Sequence, residues 1–311
     1  MRALVARRLD GPDTLEVIEI PMPEPARGQV RIKVTAAAVN PVDVAVSTGK
    51  AVQYGVTAPR DQFGLGWDVA GTIDATGPSA SDLNPGTPVI GLADLLGRPL
   101  KTHAEYVVLN ADAVTPAPQN LTLIQASTIP LNALTALQAL KALQTSPGQT
   151  LLVTGAAGGV GGYAVELGKH LGLTVIANAG DEDEDLVRRL GADHFVPRSQ
   201  DLTTAVHAIV PAGVDALVDA AVLSIAAQEA VRNGGQHAHV QAGQTPPHLR
   251  GITVHQMFVH AARAELAELV RLIEAGTIST RVADTYPLED AAKAYQQLAK
   301  GGVRGRLVLI P

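Results

Sequence analysis

A glycine-rich turn between a strand-like run and a helix-like run places the strongest constraint on the fold of this chain. The apolar run Thr150–Thr154 is followed at once by the glycine-rich residues 155–161, and a helical pattern comes next. In the fingerprint G-x-G-x-x-G, the three glycine positions are Ala156, Gly158 and Gly161, so the first glycine is replaced. Missing side chains and the N–H groups of a helix start would together hold a pyrophosphate. The turn therefore predicts a dinucleotide site. An ordinary strand-to-helix turn is the alternative, but the next strand-like run, LTVIA, supplies the context that the motif requires.

The hydrophobic pattern divides the chain into two kinds of segment. Up to about residue 109, short alternating runs with Gly and Pro turns indicate a partly closed barrel or a sandwich. From residue 150, strand-like runs alternate with helical ones, as in a doubly wound parallel (Rossmann) sheet. The last run, RLVLIP, could pair back into the first sheet. We therefore expect an α/β protein with a dinucleotide-binding domain at 120–255, inserted in a β-rich domain of residues 1–119 plus 256–311.

Composition excludes several classes of function. The net charge is -6, and acidic and basic residues are mixed along the chain, which argues against a nucleic-acid surface. The chain has no cysteine, so disulfides, thiolate nucleophiles and thiolate metal ligands are absent. No run approaches the roughly 18 apolar residues of a membrane span, and charged residues interrupt the N-terminal apolar run. We expect a cytoplasmic protein without a nucleic-acid or membrane partner.

The end of the second strand bears on the choice of cofactor. Asn178, Ala179 and Gly180 are small and uncharged there, whereas NAD enzymes often place an acidic residue at this point. That favours NADP(H). Residues 181–185 are all acidic and would repel a 2′-phosphate, unless they only begin a solvated helix. NADP(H) is the expectation, and NAD(H) stays open.

Further motifs occur in order over nearly the whole chain. They are Asn-Pro-Val-Asp at 40–43, Gly-Trp-Asp-Val-Ala-Gly at 66–71, Ala-Glu-Tyr at 104–106, the A-x-x-x-P-x-x-x-x-T-A helix at 126–136, the turn at 156–161, Tyr-Pro-Leu-Glu-Asp-Ala at 286–291 and Gly-Arg-Leu-Val at 305–308. With them the chain resembles the zinc-free quinone oxidoreductase (zeta-crystallin-like) branch of the medium-chain dehydrogenase/reductase family. The resemblance implies a GroES-like first domain and hydride transfer from the nicotinamide of NADPH to a quinone or an enone. It also implies a homodimer, with residues 252–259 as an edge strand pairing across a two-fold axis.

Metal ligands of the family's zinc-dependent members are missing. Those members use a Cys and a Gly-His-Glu segment, where this chain has Asn40 and residues 66–68. Catalytic zinc needs three protein ligands, and the sequence offers no set, so we expect no metal. His237 and His239 alternate on one face of a predicted strand and could bind a metal in principle. The favoured interpretation is that they are strand residues near the cofactor, or buried and hydrogen-bonded.

Candidate site residues come from the glycine turn, from the ends of the predicted strands and, for Asn40, Tyr54 and Thr135, from the resemblance. Asn40 and Tyr54 are the candidate catalytic residues, although Asn40 could instead be a turn residue before Pro41, and Tyr54 a surface loop residue. The candidate cofactor-binding residues are Asn40, Thr135, Ala156, Ala157, Gly158, Gly159, Val160, Gly161, Asn178, Ala179, Gly180, Gln241, Ala242 and Gly243. No residue stands out as a general acid.

One other function remains open at this point. A non-catalytic redox sensor or crystallin-like protein would need the same glycine turn. A zinc alcohol dehydrogenase conflicts with the missing ligands.

Overall fold

The computed structural model describes residues 1–80, 83–240 and 245–311. The chain forms two units. Unit 1 comprises residues 1–131, 260–275 and 280–311, and unit 2 comprises residues 132–259 and 276–279. The domain bounds expected from the sequence stay a prediction.

Strands and short helices make up most of unit 1, and alternating strands and helices make up unit 2. The strands are β1 (Arg2–Ala6), β2 (Leu15–Glu19), β3 (Gln29–Ala38), β4 (Phe63–Gly64), β5 (Asp68–Thr76), β6 (Pro88–Leu92), β7 (Tyr106–Asn110), β8 (Val114–Pro116), β9 (Thr150–Thr154), β10 (Thr174–Ala179), β11 (His194–Pro197), β12 (Val214–Asp219), β13 (Val231–His239), β14 (Thr253–Gln256), β15 (Val282–Pro287) and β16 (Arg306–Ile310). The α-helices are α1 (Pro41–Ser47), α2 (Lys50–Gln53), α3 (Leu123–Ala126), α4 (Pro130–Leu143), α5 (Gly159–His170), α6 (Glu184–Arg189), α7 (Leu202–Ile209), α8 (Ile225–Gln228), α9 (Arg263–Glu274) and α10 (Ala291–Lys300). Over the described part of the chain, each helix is too short or too polar to cross a membrane.

Unit 1 contains a three-stranded sheet in the order β2-β1-β4 and a seven-stranded sheet. The larger sheet runs β15-β16-β3-β5-β6-β8, and β7 pairs with β3. The last strand, β16, lies antiparallel to β3, with Val308 opposite Ala38. The chain therefore returns to its first sheet after unit 2, which confirms that the Rossmann sheet is inserted in the GroES-like fold. Buried apolar side chains from β1, β4, α10 and β16 form one core of unit 1.

Unit 2 is built on a six-stranded sheet in the order β11-β10-β9-β12-β13-β14. Every pairing in this sheet is parallel. β9 is the first strand in sequence yet lies in the middle, because the chain adds β10 and β11 on one side and β12 to β14 on the other. The order reverses between β9 and β12, and ligands of open α/β sheets bind at the carboxyl ends of strands at such a reversal. The predicted doubly wound sheet is confirmed.

Candidate active site

The glycine turn lies between β9 and α5, as the sequence predicts. α5 begins at Gly159, and the N–H groups in the first turn of a helix have no intrahelical acceptors. A Cβ added at Gly161 would lie 2.1 Å from the carbonyl oxygen of Gly155, so only glycine fits there. A Cβ at Gly158 would lie 3.1 Å from the same oxygen. The turn is thus a bare-backbone cradle at a helix start, which fits a pyrophosphate. Ala156, Ala157, Gly159 and Val160 complete it.

The end of β10 lies beside the cradle. The amide N–H of Ala156 donates to the carbonyl oxygen of Asn178, at 3.0 Å, which fixes the turn against β10. The Asn178 side chain is buried and donates to the carbonyl oxygen of Val196. The backbone N–H of Gly180 donates to the carboxylate of Asp183 at 3.2 Å. The expected ribose end of β10 therefore combines small side chains with an acidic turn folded back over Gly180.

Three polar side chains occupy the centre of the carboxyl edge of unit 2. Thr154 ends β9, Asp219 ends β12, and the two pair directly in the sheet. The Thr154 hydroxyl donates to Asp219 Oδ1 at 2.6 Å. His239 ends β13 opposite Asp219 and, like His237, is buried, as the sequence suggests. Neither imidazole has a hydrogen-bond partner among the described residues, which differs from the expected buried and hydrogen-bonded state.

A second polar cluster lies in unit 1, around Asn40. Asn40 is fully buried and stands directly before α1. Its side-chain amide donates to Asp68 Oδ2 at 2.6 Å, and its backbone N–H donates to Asp43 Oδ2 at 2.9 Å. Asp43 Oδ1 accepts from the backbone N–H of Gly66 at 2.8 Å. Asn40 is therefore a turn residue before Pro41 and also a buried polar centre, and its role at the cofactor or the substrate stays a prediction.

Asp68 is the carboxyl group at the base of this cluster. It is fully buried and also accepts from the backbone N–H of Leu131 at 2.6 Å. Burial raises the pKa of Asp68 to about 7, although the hydrogen bonds from Leu131 and Asn40 act in the opposite direction.

His103 and Tyr295 form a buried pair beside the cluster. His103 Nε2 lies 3.0 Å from the carbonyl oxygen of Ala38, and Nδ1 lies 3.0 Å from the Tyr295 hydroxyl. Because a carbonyl can only accept, Nε2 carries the proton and Nδ1 accepts from the tyrosine. Burial lowers the pKa of His103 and raises that of Tyr295. Burial thus favours the uncharged form of both side chains, and nothing in the sequence indicates that these two distant residues meet.

Lys101 is the functional candidate that sequence analysis missed. Its ammonium lies 3.6 Å from the centre of the Trp67 ring, a cation–π contact. The side chain is buried, and its Nζ has no hydrogen-bond acceptor among the described residues. Burial lowers the pKa of Lys101 to about 7, against the attraction of Asp43, Asp94 and Asp68. Nothing in the local run Pro-Leu-Lys-Thr-His indicates that this lysine is buried.

The remaining expected site residues lie at different depths. Tyr54 is 54% exposed and directly follows α2, so it is a surface residue of unit 1. Thr135 is buried within α4. Gln241, Ala242 and Gly243 lie outside the described residues.

Known proteins resemble this chain over its full length. Residues 26–119 match the alcohol dehydrogenase GroES-like domain, and residues 190–309 match a zinc-binding dehydrogenase domain. The chain is 31% identical to an NADPH-dependent alkenal/one oxidoreductase of Arabidopsis thaliana chloroplasts, over 100% of this chain and 80% of that protein. The chain belongs to the medium-chain dehydrogenase/reductase family.

Two further comparisons refine its position in the family. A quinone oxidoreductase of Pongo abelii is 28% identical, over 100% of this chain and 98% of that protein. A solved structure of an NAD-dependent alcohol dehydrogenase is 32% identical, with a TM-score of 0.88 and full coverage of both chains. This medium-chain dehydrogenase/reductase is an oxidoreductase of the quinone oxidoreductase-like branch, as the motifs indicate.

The residues around Asn40 do not fit the catalytic zinc that one family description implies. The resemblance assigns the zinc-ligand positions to residues that include Asn40 and Trp67. The Asn40 amide is hydrogen-bonded to Asp68, and Trp67 has no ligand atom. The Lys101 ammonium over the Trp67 ring would repel a cation. Among the described residues, the only group of three or more His, Cys, Asp or Glu side chains placed to hold a metal is Asp219, His237 and His239 of unit 2.

Proposed function

We propose that this chain is an NADPH-dependent reductase of quinones or enones that works without zinc. The observation that carries the proposal is the bare-backbone cradle at residues 155–161, where a single added methyl group at Gly161 would strike the carbonyl of Gly155. The alkenal/one and quinone oxidoreductases among the relatives support the substrate class. When bound, the nicotinamide supplies a hydride.

The cradle and its surroundings hold the nucleotide. The amides at the start of α5 bind the diphosphate, and Gly158 and Gly161 keep the approach open. Asn178, Ala179 and Gly180 accommodate the ribose without an acidic side chain at the strand end, which favours a 2′-phosphate. The resemblance assigns Thr135 to the nicotinamide side of the cofactor. Residues 241–243 are assigned to the cofactor because they end a strand predicted from the sequence, and ligands of open α/β sheets bind at the carboxyl ends of strands.

We assign to the polar cluster of unit 1 the binding of the substrate oxygen and the supply of the proton that the reaction consumes. Adding a hydride to the β-carbon of an enone leaves an enolate, which needs a donor and then one proton. We assign the proton to Lys101, because a buried ammonium with a pKa of about 7 is well matched to proton transfer near neutral pH. We assign Asn40 the role of holding this cluster in place, because its side-chain amide donates to Asp68 and to the carbonyl oxygen of Ala38, and its backbone N–H donates to Asp43. Tyr54 is a second candidate donor, at the surface of unit 1.

The deciding experiment is steady-state oxidation of NADPH with a benzoquinone and with a small enone. Turnover of at least one of them is expected. Tight NADPH binding with turnover of neither would reject the reductase.

We also propose a cytoplasmic homodimer. β14 is an edge strand of the unit 2 sheet, and edge strands pair readily across a two-fold axis. Sedimentation equilibrium of the full chain should give twice the chain mass, and a monomer at micromolar concentration would contradict the dimer.

A further inference from the structure

We propose that Asp219, His237 and His239 form a binding site for a divalent transition-metal ion, with zinc as the best fit. The three side chains come from the carboxyl ends of β12 and β13. They lie in unit 2, apart from every position that the resemblance assigns to zinc.

The strand register brings the three ligands to one face of the sheet. Asp219 pairs directly with His239, and Leu217 pairs with His237, in a parallel ladder. Paired residues of parallel strands point to the same side, and residues two apart on one strand do so as well. The arrangement is therefore built by the sheet itself rather than by flexible loops.

The distances fit a shared ion better than hydrogen bonds. Asp219 Oδ2 lies 3.5 Å from His239 Nδ1 and 3.8 Å from His237 Nε2, and the three ligand atoms lie within 4.8 Å of one another. Two ligands that each lie about 2.0–2.1 Å from a tetrahedral zinc ion are roughly 3.3 Å apart. Shifts of the imidazoles would bring the three ligand atoms to this spacing, and water would take the fourth position of a tetrahedral ion.

Burial makes the imidazoles hard to explain without a ligand. His237 and His239 are 0% and 1% exposed, and none of their four ring nitrogens has a hydrogen-bond partner in the described part of the chain. Buried polar groups that stay unpaired are costly, so nearly all of them find a partner. Two imidazoles and a carboxylate are a ligand set that zinc and other first-row divalent ions bind.

The carboxylate is held in place as a metal ligand would be. Asp219 Oδ1 accepts from the Thr154 hydroxyl at 2.6 Å and from the Leu223 N–H at 3.0 Å, while Oδ2 accepts from the Ser224 N–H at 2.7 Å. Such outer hydrogen bonds orient ligating carboxylates. These hydrogen bonds account for the position of Asp219, but they do not account for two buried imidazoles without hydrogen-bond partners among the described residues.

A bound ion would have a structural role, because it would stabilise the turn that follows Asp219. Val222 and Ser224 adopt positive φ angles of 60° and 57°, which are unfavourable for such residues. The Asp219 carboxylate accepts from the N–H groups of Leu223 and Ser224, so an ion bound to it would stabilise the turn 220–224 together with the ends of β12 and β13.

The test uses the full-length protein, stripped with a chelator and then titrated with Zn²⁺ and with Co²⁺, with Mg²⁺ as the oxygen-preferring control. One equivalent of Zn²⁺ should bind and raise the Tm, and Co²⁺ should give visible d–d absorption that Zn²⁺ displaces. His237→Leu and His239→Leu should abolish binding and leave the metal-free protein at least as stable, because each removes unpaired buried nitrogens. The control His255→Gln changes a neighbouring histidine that instead hydrogen-bonds Gln236, and it should bind zinc normally.

Failure to bind either ion would overturn the site and leave internal water as the partner of the imidazoles. Equal loss of binding in His255→Gln would do the same. If the leucine variants fail to fold, X-ray absorption spectroscopy of the zinc-loaded wild type tests the site instead. A zinc spectrum without the scattering of imidazole ligands would contradict the assignment. These measurements need neither NADPH nor substrate, so they stand apart from the reductase assay.

Discussion

The ammonium of Lys101 lies 3.6 Å from the centre of the Trp67 ring. Trp67 stands in the segment where zinc-dependent members of the family have the histidine of Gly-His-Glu. The Lys101 ammonium thus places a positive charge in this part of unit 1.

Replacing Lys101 by methionine should slow enone reduction by about 10²-fold or more, because a positioned proton donor typically contributes that much. The dissociation constant for NADPH should stay the same. The matched control is Lys33→Met, an exposed lysine of β3, which should leave turnover unchanged. Rapid turnover by the Lys101 variant would remove this lysine from the reaction.

The rate of enone reduction should fall as the pH rises through about 7. Only the ammonium form of Lys101 can give a proton, and its pKa is lowered to about 7 by burial. The decline should disappear in Lys101→Met, whose residual rate depends on water. The measurement is kcat against pH at saturating NADPH, and an unchanged decline in the variant would assign it to another group.

Asp68 should make the wild-type protein lose stability between about pH 4 and pH 7. Its folded-state pKa is raised from 3.8 to about 7, so the folded state binds the proton more tightly than the unfolded state does. The stabilisation is fully present below the unfolded pKa and is lost as the pH rises through the folded one. Denaturant unfolding should give the free energies of unfolding of wild type and Asp68→Asn at each pH. The difference between the two proteins should change by up to a few kcal/mol between about pH 4 and pH 7. A constant difference would contradict the raised pKa.

Replacing Gly161 by alanine should abolish NADPH binding, because the new Cβ would lie 2.1 Å from the Gly155 carbonyl oxygen and force the cradle apart. The control in the same helix is Gly168→Ala, whose Cβ would meet the end of the Leu151 side chain, which can move. Isothermal titration with NADPH compares the two. Normal affinity in Gly161→Ala would place the diphosphate elsewhere.

Replacing Glu182 by glutamine should improve NADPH binding relative to NADH. A Cβ added at Gly180 would lie within 2.9 Å of the Glu182 carboxylate, so this charge lies close to the end of β10. Removing a like charge near a 2′-phosphate at the surface should contribute about 1 kcal/mol, or roughly fivefold in affinity. Dissociation constants for both nucleotides, in wild type and variant, give the ratio. An equal change for both would show that Glu182 does not face the 2′-phosphate.

The features that depend on local pattern can be predicted from the amino-acid sequence alone. Missing side chains at Gly158 and Gly161 mark the cradle, and the alternation of strand and helix runs specifies a parallel sheet, because both signals come from neighbouring residues. The return of β16 to β3 was also foreseeable, since a final strand needs a sheet to pair with.

Which polar side chains are buried, and which groups they contact, depends on tertiary packing and could not be predicted from the sequence. Three contacting pairs consist of residues that are far apart in sequence: Lys101 with Trp67, His103 with Tyr295, and Asp219 with His239. Burial shifts the pKa of a side chain or leaves its nitrogen unpaired, and burial is produced by the neighbours that pack around it. A lysine or a histidine in a sequence carries no sign of that environment. The chemistry of this protein therefore depends on desolvation that the fold imposes on residues that look ordinary in the sequence.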